Sequence, residues 1–247
     1  MIKKIAIYGK GGIGKSTTVS NISAALAKDG YKVMQIGCDP KADSSRNLTG
    51  GKNIPTVLDV LRDKNTVVLD DIVKVGSLGV YCVEAGGPKP GIGCAGRGII
   101  TAFEKLEELN AYEELNPDII IYDVLGDVVC GGFAMPIRGG YADEVCIVTS
   151  GEMMSLYAAT NIASAVKSFS KKKYAGLKGF IQNSKNIENE DKLVSKVAKE
   201  EDTKVIYRLP RNSVVQKAED KFQTVVEAFP DDSMAKKYFE LSKMVIE

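Results

Sequence analysis

Histidine is absent from all 247 residues, so a metal or cluster site in this chain has to be built from cysteine and carboxylate without imidazole. An excess of charge is also missing: 33 lysines and arginines face 32 aspartates and glutamates. That balance argues against a general nucleic-acid or anionic-membrane binder, although a local basic patch is compatible with it. Nucleotides and proteins are the expected partners, with no nucleic acid and no membrane. No apolar run reaches the roughly eighteen residues of a membrane span. The opening "MIKKIAIYGKGG" enters a strand at once, without the apolar stretch and cleavage site of a signal peptide. A cytoplasmic protein is expected.

Five cysteines, an odd number, do not suggest a disulfide framework and leave free thiols or metal ligands. Cys38 in "KVMQIGC", Cys82 in "GVYCVEA" and Cys146 in "EVCIVTS" lie in strand-like runs, where cysteine packs as a small hydrophobe. Cys94 in "PGIGCAGRG" and Cys130 in "VVCGGFAMP" lie instead in glycine-rich loops, where backbone can approach a ligand closely. These two are the candidates for chemistry.

The length suits one α/β domain spanning residues 1–247. Strand-like runs "KKIAIYG", "KVMQIGC", "GVYCVEA", "DIIIYD", "EVCIVTS", "LKGFIQN" and "TKVIYRL" alternate with helical segments over about 15–29, 55–62, 98–110, 153–169 and 189–200 and with closing helices. This alternation predicts an α/β fold, a mostly parallel sheet covered by helices on both faces. The strands are nearly continuous in Ile, Val and Tyr, as strands buried on both sides should be. Two long segments, about 39–54 and 85–97, are rich in Gly, Pro, Asp and Lys. Loops of that length in a compact domain are more often functional than idle.

"GKGGIGKS" follows the first strand and opens the first helix, the context that makes the phosphate-loop pattern a site. The loop Gly9, Lys10, Gly11, Gly12, Ile13, Gly14 directs successive N–H groups inward, so loop and helix N-terminus together cradle phosphates. Lys15 would reach the β- and γ-phosphates, Ser16 would ligate magnesium, and Thr17 continues the motif. Lys10 adds a second cation, to be weighed against a plain solvated lysine. Asp123, ending the buried run "IIIYD", can hold the magnesium shell, and Gly126 can offer its N–H to a γ-phosphate. Asp39 leaves another strand, with Asp43 and Ser44 close behind. Orienting an attacking water, binding the metal and capping its own loop are all open to Asp39.

A cluster bound by thiolates wants four sulfur ligands, and one chain offers two suitable cysteines. A two-fold homodimer would bring Cys94 and Cys130 of each subunit to one axis and supply four thiolates to a single 4Fe-4S cluster. Cys94 precedes a helix beginning near "GRGIITAF", whose N-terminal dipole and glycine N–H groups suit an anionic cluster. Two unpaired loop thiols are the alternative on these residues alone.

"YGKGGIGKSTT", "GCDPKADS", "VEAGGPKPGIGCAGRG", "YDVLGDVVCGGFAMPIR" and "SGEMMSLYAATNI" together resemble the nitrogenase iron protein family, from residue 1 to about 244. "GKGGxGK" alone resembles the wider deviant P-loop class of partitioning and metal-delivery ATPases, in which the loop's first lysine contacts nucleotide across a dimer interface. The resemblance implies that Cys94 and Cys130 are the ligands of one 4Fe-4S cluster shared across a homodimer. It makes Lys10, Lys15 and Ser16 phosphate contacts, and Asp39, Asp43, Asp123 and Asp127 switch residues. Arg97 matches an arginine beside the cluster that faces the partner and in some relatives is ADP-ribosylated. Asn183, Pro210, Arg211, Gln216 and Glu219 match base-recognition segments.

The activity implied is that of an ATP-dependent electron-transfer reductase. It would take electrons from ferredoxin or flavodoxin and, with MgATP hydrolysis, pass them singly to a catalytic metalloprotein. "GGKNIPTVLDVL" and "EAGGPKPG" also resemble the related reductase of nickel-tetrapyrrole synthesis, whereas "PKADS", "AGRG" and "GEMM" follow the nitrogenase form. The given sequence ends with "SKMVIE", where the resembling proteins continue into a tail that wraps the dimer, a departure that bears on either the stability of the dimer or the exact family membership. Near-neutral charge, where those proteins are acidic, implies weaker steering toward donors and acceptors. Asp123 and Cys130 are seven residues apart, at most roughly 25 Å when fully extended. A phosphate-driven shift at one end can therefore reach the other.

Overall fold

The computed structural model describes residues 2–87, 95–126, 132–170 and 174–247. Among them eight strands form one sheet: β1 (Lys3–Gly9), β2 (Val33–Cys38), β3 (Lys74–Val75), β4 (Tyr81–Glu84), β5 (Ile119–Leu125), β6 (Glu144–Thr149), β7 (Gly176–Asn183) and β8 (Val205–Leu209). Their order is β3-β4-β2-β5-β1-β6-β7-β8. Every ladder is parallel except the β3–β4 edge pair.

Alternation along β1 divides the core. Ala6 and Tyr8 face a layer containing Phe103, Ile162 and Val166, from the helices Ala95–Glu108 and Met153–Ser170. Ile5 and Ile7 face Ile22 and Leu26 of helix α1 (Lys15–Lys28), together with Leu241 of the helix Ser233–Ile246. Both faces are thus dry, which is why the central strands read as unbroken Ile, Val and Tyr. Burying a side chain of this size removes it from water at about 1.5–3 kcal/mol each, so the central strands are the rigid frame from which the loops hang.

Register then sets the level of the site. Gly9 pairs with Leu125 on one side and Val148 on the other, while Gly37 pairs with both Asp123 and Glu84. The carboxyl ends of β1, β2, β4 and β5 therefore finish together, next to the point where the strand order reverses about β1. Open parallel sheets bind their ligands at that place.

Each long element lies within a few residues of its expected position. The helix expected from about 98 begins at Ala95, and the helix expected at about 55–62 runs Val57–Asp63 behind a Thr56 side chain that accepts the Asp59 N–H. The two-residue β3 and the short helices Leu69–Ile72, Ala111–Leu115 and Met135–Arg138 were not anticipated. They span too few residues to show a period. Among the described residues no helix is long and apolar enough to cross a membrane.

Candidate nucleotide site and cysteine segments

β1 ends in the loop that starts α1. Gly14 takes φ +91°, in the left-handed region, and a Cβ there would lie 2.5 Å from Asn183 Nδ2. Glycine is required on both counts. The Asn183 amide donates to the Ile13 carbonyl at 2.7 Å, so the end of β7 is tied to the phosphate loop.

The loop opens on a cavity of about 740 Å³. Lys10, Gly11, Gly12, Gly14, Lys15, Ser16 and Thr17 line it on one side, and Asp39 and Asp43 on another. Asn183, Pro210, Arg211, Gln216 and Glu219 close it, joined by Lys41, Lys185, Asn212 and Tyr238, which sequence reasoning missed. Lys185 follows Asn183 in "QNSK" and was within reach of that reasoning; Tyr238 comes from the last helix, and no local signal could place it there. Gly9, Ile13, Asp123 and Gly126 stand behind this lining. A Cβ on Gly126 would overlap the Gly9 carbonyl, so the loop after β5 rests directly on the phosphate loop.

Lys15 is 6% exposed and Asp123 1% exposed, and Lys15 Nζ pairs with Asp123 Oδ1. Asp123 Oδ2 is buried and has no partner among the described residues. A buried carboxylate oxygen without a donor is costly. It fits a magnesium shell, and the lysine fits phosphate oxygens, so the residues present suit MgATP. The Thr17 hydroxyl donates to Glu219 and fastens α1 to the helix Ser213–Glu219. Asp39 Oδ1 accepts the Lys41 N–H at 3.0 Å, so the loop cap is formed by a residue that also faces the cavity. Ser44, by contrast, is structural: its carbonyl accepts from Ser20 and Gln35 at 3.0 and 2.9 Å.

Glu84, the last residue of β4, was not anticipated. It is fully buried, and its Oε1 accepts the Ser45 N–H at 2.7 Å and the Ser45 hydroxyl at 2.6 Å. Burial pushes its carboxyl up to about 7, Asp123 and Asp43 add to the rise, and the Ser45 bonds oppose it. An acid at the end of a buried strand was the one available signal.

Cys94, Asp127 and Cys130 lie outside the described residues. The described residues flanking the two cysteines do meet: a Cβ on Gly132 would overlap the backbone of Gly96. Tyr8, beside the phosphate loop, donates its buried hydroxyl to the Phe133 carbonyl at 2.7 Å. Arg97 is exposed in the first turn of its helix. Cys38, Cys82 and Cys146 are buried, and burial raises their thiols, the last two to about 12. They pack in strands, where burial disfavours their thiolate forms.

The sheet order, the phosphate loop and the facing aspartate define an α/β P-loop nucleotide-binding protein. Solved structures of that fold overlay closely. MinD of Pyrococcus horikoshii, solved with Mg-ADP, gives a TM-score of 0.75 at 24% identity over 99% of this chain and 96% of that one. A ParA family ATPase of Chlorobium tepidum gives 0.74 at 20% identity, over 98% and 99%. Within that class, residues 3–247 match the family model described as 4Fe-4S iron sulfur cluster binding proteins, NifH/frxC family, and the chain belongs to that family. The nitrogenase iron protein of Methanospirillum hungatei is 55% identical over 99% of this chain and 88% of its own length. Nitrogenase iron protein 2 of Paenibacillus durus is 52% identical over 100% and 84%.

Proposed function

We propose that the chain is a homodimeric, ATP-dependent electron-transfer reductase of the nitrogenase iron protein type, passing single electrons to a catalytic metalloprotein in step with MgATP hydrolysis. The observation that carries this reading is one short stretch of chain: Asp123 lies near the end of β5, Gly126 just after the strand rests on the phosphate loop, and the sequence reaches Cys130 four residues later. A bound 4Fe-4S cluster would supply a one-electron couple of low potential.

The chain's own residues divide the remaining work. Lys15 exchanges the Asp123 carboxylate for phosphate oxygens, while Ser16 and Asp123 hold the magnesium shell. Lys10, exposed at the cavity mouth, reaches toward the partner subunit's nucleotide. Asp39, or Asp43 beside it, orients the attacking water, and Asp127 joins them as a switch residue. Asn183, Pro210, Arg211, Gln216 and Glu219 hold the base. Cys94 and Cys130 of each subunit supply the four thiolates. Arg97, exposed and three residues after Cys94 in the sequence, faces the catalytic partner and is the site for a regulatory ADP-ribose. Residues 1–247 act as one nucleotide-binding domain in the cytoplasm, fed by ferredoxin or flavodoxin.

Chelator access to iron in the purified, reduced dimer tests the reading. MgATP should speed iron release from wild type, and Asp123→Asn should bind MgATP without speeding it. Equal release with and without MgATP in wild type would contradict the coupling.

A further inference from the structure

After Glu84 the chain runs through Ala85, Gly86 and Gly87 toward Cys94. Glu84 touches no part of the nucleotide cavity, yet it holds a loop that does. Ser45, whose N–H and hydroxyl both donate to Glu84 Oε1, lies two residues beyond Asp43, and Asp39 and Asp43 line the cavity. A second contact runs alongside, because a Cβ on Gly87 would lie 2.6 Å from the Pro40 Cβ. The loop after β2 and the segment after β4 thus touch at two points, Ser45 on Glu84 and Pro40 on Gly87.

The sheet register extends this contact toward the metal site. Gly37 is paired with Glu84 on one side and Asp123 on the other, so the two carboxyls share a row across three strands with no side chain between them. A side chain at Gly37 would overlap Glu84 Oε2 and lie 2.7 Å from the Ser44 Cβ. Glu84 Oε2 and Asp123 Oδ2 are both buried without partners among the described residues. A buried carboxyl held by one oxygen is expensive where an apolar side chain would pack.

We infer that Glu84 is a positioning residue, a latch of two hydrogen bonds through which the nucleotide-facing loop 39–48 sets the placement of Ala85, Gly86 and Gly87, the described residues that follow β4 in the direction of Cys94. This rests on the functional reading above and adds to it a second route from nucleotide to cysteine, besides the one through Asp123 and Gly126. Movement of Asp39 and Asp43 toward a bound nucleotide carries Ser45 with it. Ser45 then either keeps Glu84, pulling on the end of β4, or releases it.

Hydrogen exchange on the iron-loaded homodimer, with and without MgATP, tests the latch at peptides covering 9–17, 39–48 and 85–94. Wild type should respond in all three. Glu84→Ala should keep the response at 9–17 and bind MgATP as wild type does, while the response at 85–94 falls by about fivefold or more. Glu84→Gln, which keeps an oxygen for Ser45, should restore it.

An unchanged response at 85–94 in Glu84→Ala, an equal loss at 9–17, or a failure of Glu84→Gln to restore it would overturn the latch. Should Glu84→Ala not fold, Ser45→Ala decides: a reduced response at 85–94 supports the latch and an unaltered one overturns it. No response at 85–94 in wild type would overturn the latch before any substitution is made, while the functional reading, carried by the route through Asp123 and Gly126, is overturned only by iron release that MgATP does not change.

Discussion

Lys15 and Asp123 form a buried ion pair in which one carboxylate oxygen has a lysine and the other has no partner among the described residues. Such a pair adds little stability by itself, and removing either partner alone is costly. Its sense lies in what replaces it, since phosphate can take the lysine and magnesium the aspartate. Both residues were legible in the sequence, because a lysine in a phosphate loop and an acid ending a buried strand are local patterns. Glu84 was not, because Ser45 lies 39 positions away and only the sheet brings them together. Glu84 also carries a prediction. Its carboxyl, raised from 4.5 to about 7, holds a proton in the folded state that the unfolded state releases. That contribution is complete below pH 4.5 and is lost as pH rises through about 7. Glutamine cannot ionise, so the unfolding free energy of Glu84→Gln relative to wild type should shift in favour of the variant by about 3 kcal/mol between pH 4.5 and 8. Denaturant melts across that range check it; parallel pH profiles would contradict it.

At the scale of elements, the phosphate loop is held from several directions. Asn183 bonds the Ile13 carbonyl, Glu219 receives the Thr17 hydroxyl, and Gly126 lies against Gly9. Gly14→Ala would place a methyl 2.5 Å from the Asn183 amide at a left-handed φ. That conformation alone costs about 1–2 kcal/mol for a residue with a Cβ. MgATP affinity by calorimetry should fall about tenfold or more, with the melting transition still cooperative; unchanged affinity would mean that the loop does not need this geometry. The long strands and helices were legible because their apolar periods run for whole turns and pleats. β3, two residues long, and helices of four or five residues carry no such signal, and tertiary packing alone decides them. In the far wall of the cavity Asn183 and Arg211 were legible only through resemblance and Tyr238 not at all, since the three converge from separate parts of the chain.

For the whole molecule, the absence of histidine and the burial of Cys38, Cys82 and Cys146 leave two thiols per chain for a site that wants four. Symmetry supplies the rest, because a two-fold contact doubles any ligand set it joins. Ligand counting in the sequence was compatible with two chains but left two unpaired loop thiols open, and it was the resemblance that implied a shared cluster. Which surfaces meet was not readable, because an interface leaves no period in the sequence. Iron content of the anaerobically purified dimer tests the central claim most directly. About four irons per dimer are expected, in brown protein with a reducible signal. Cys94→Ala and Cys130→Ala should each abolish the colour while the three buried cysteines remain. A colourless dimer, or iron retained in either variant, would contradict a cluster shared between subunits.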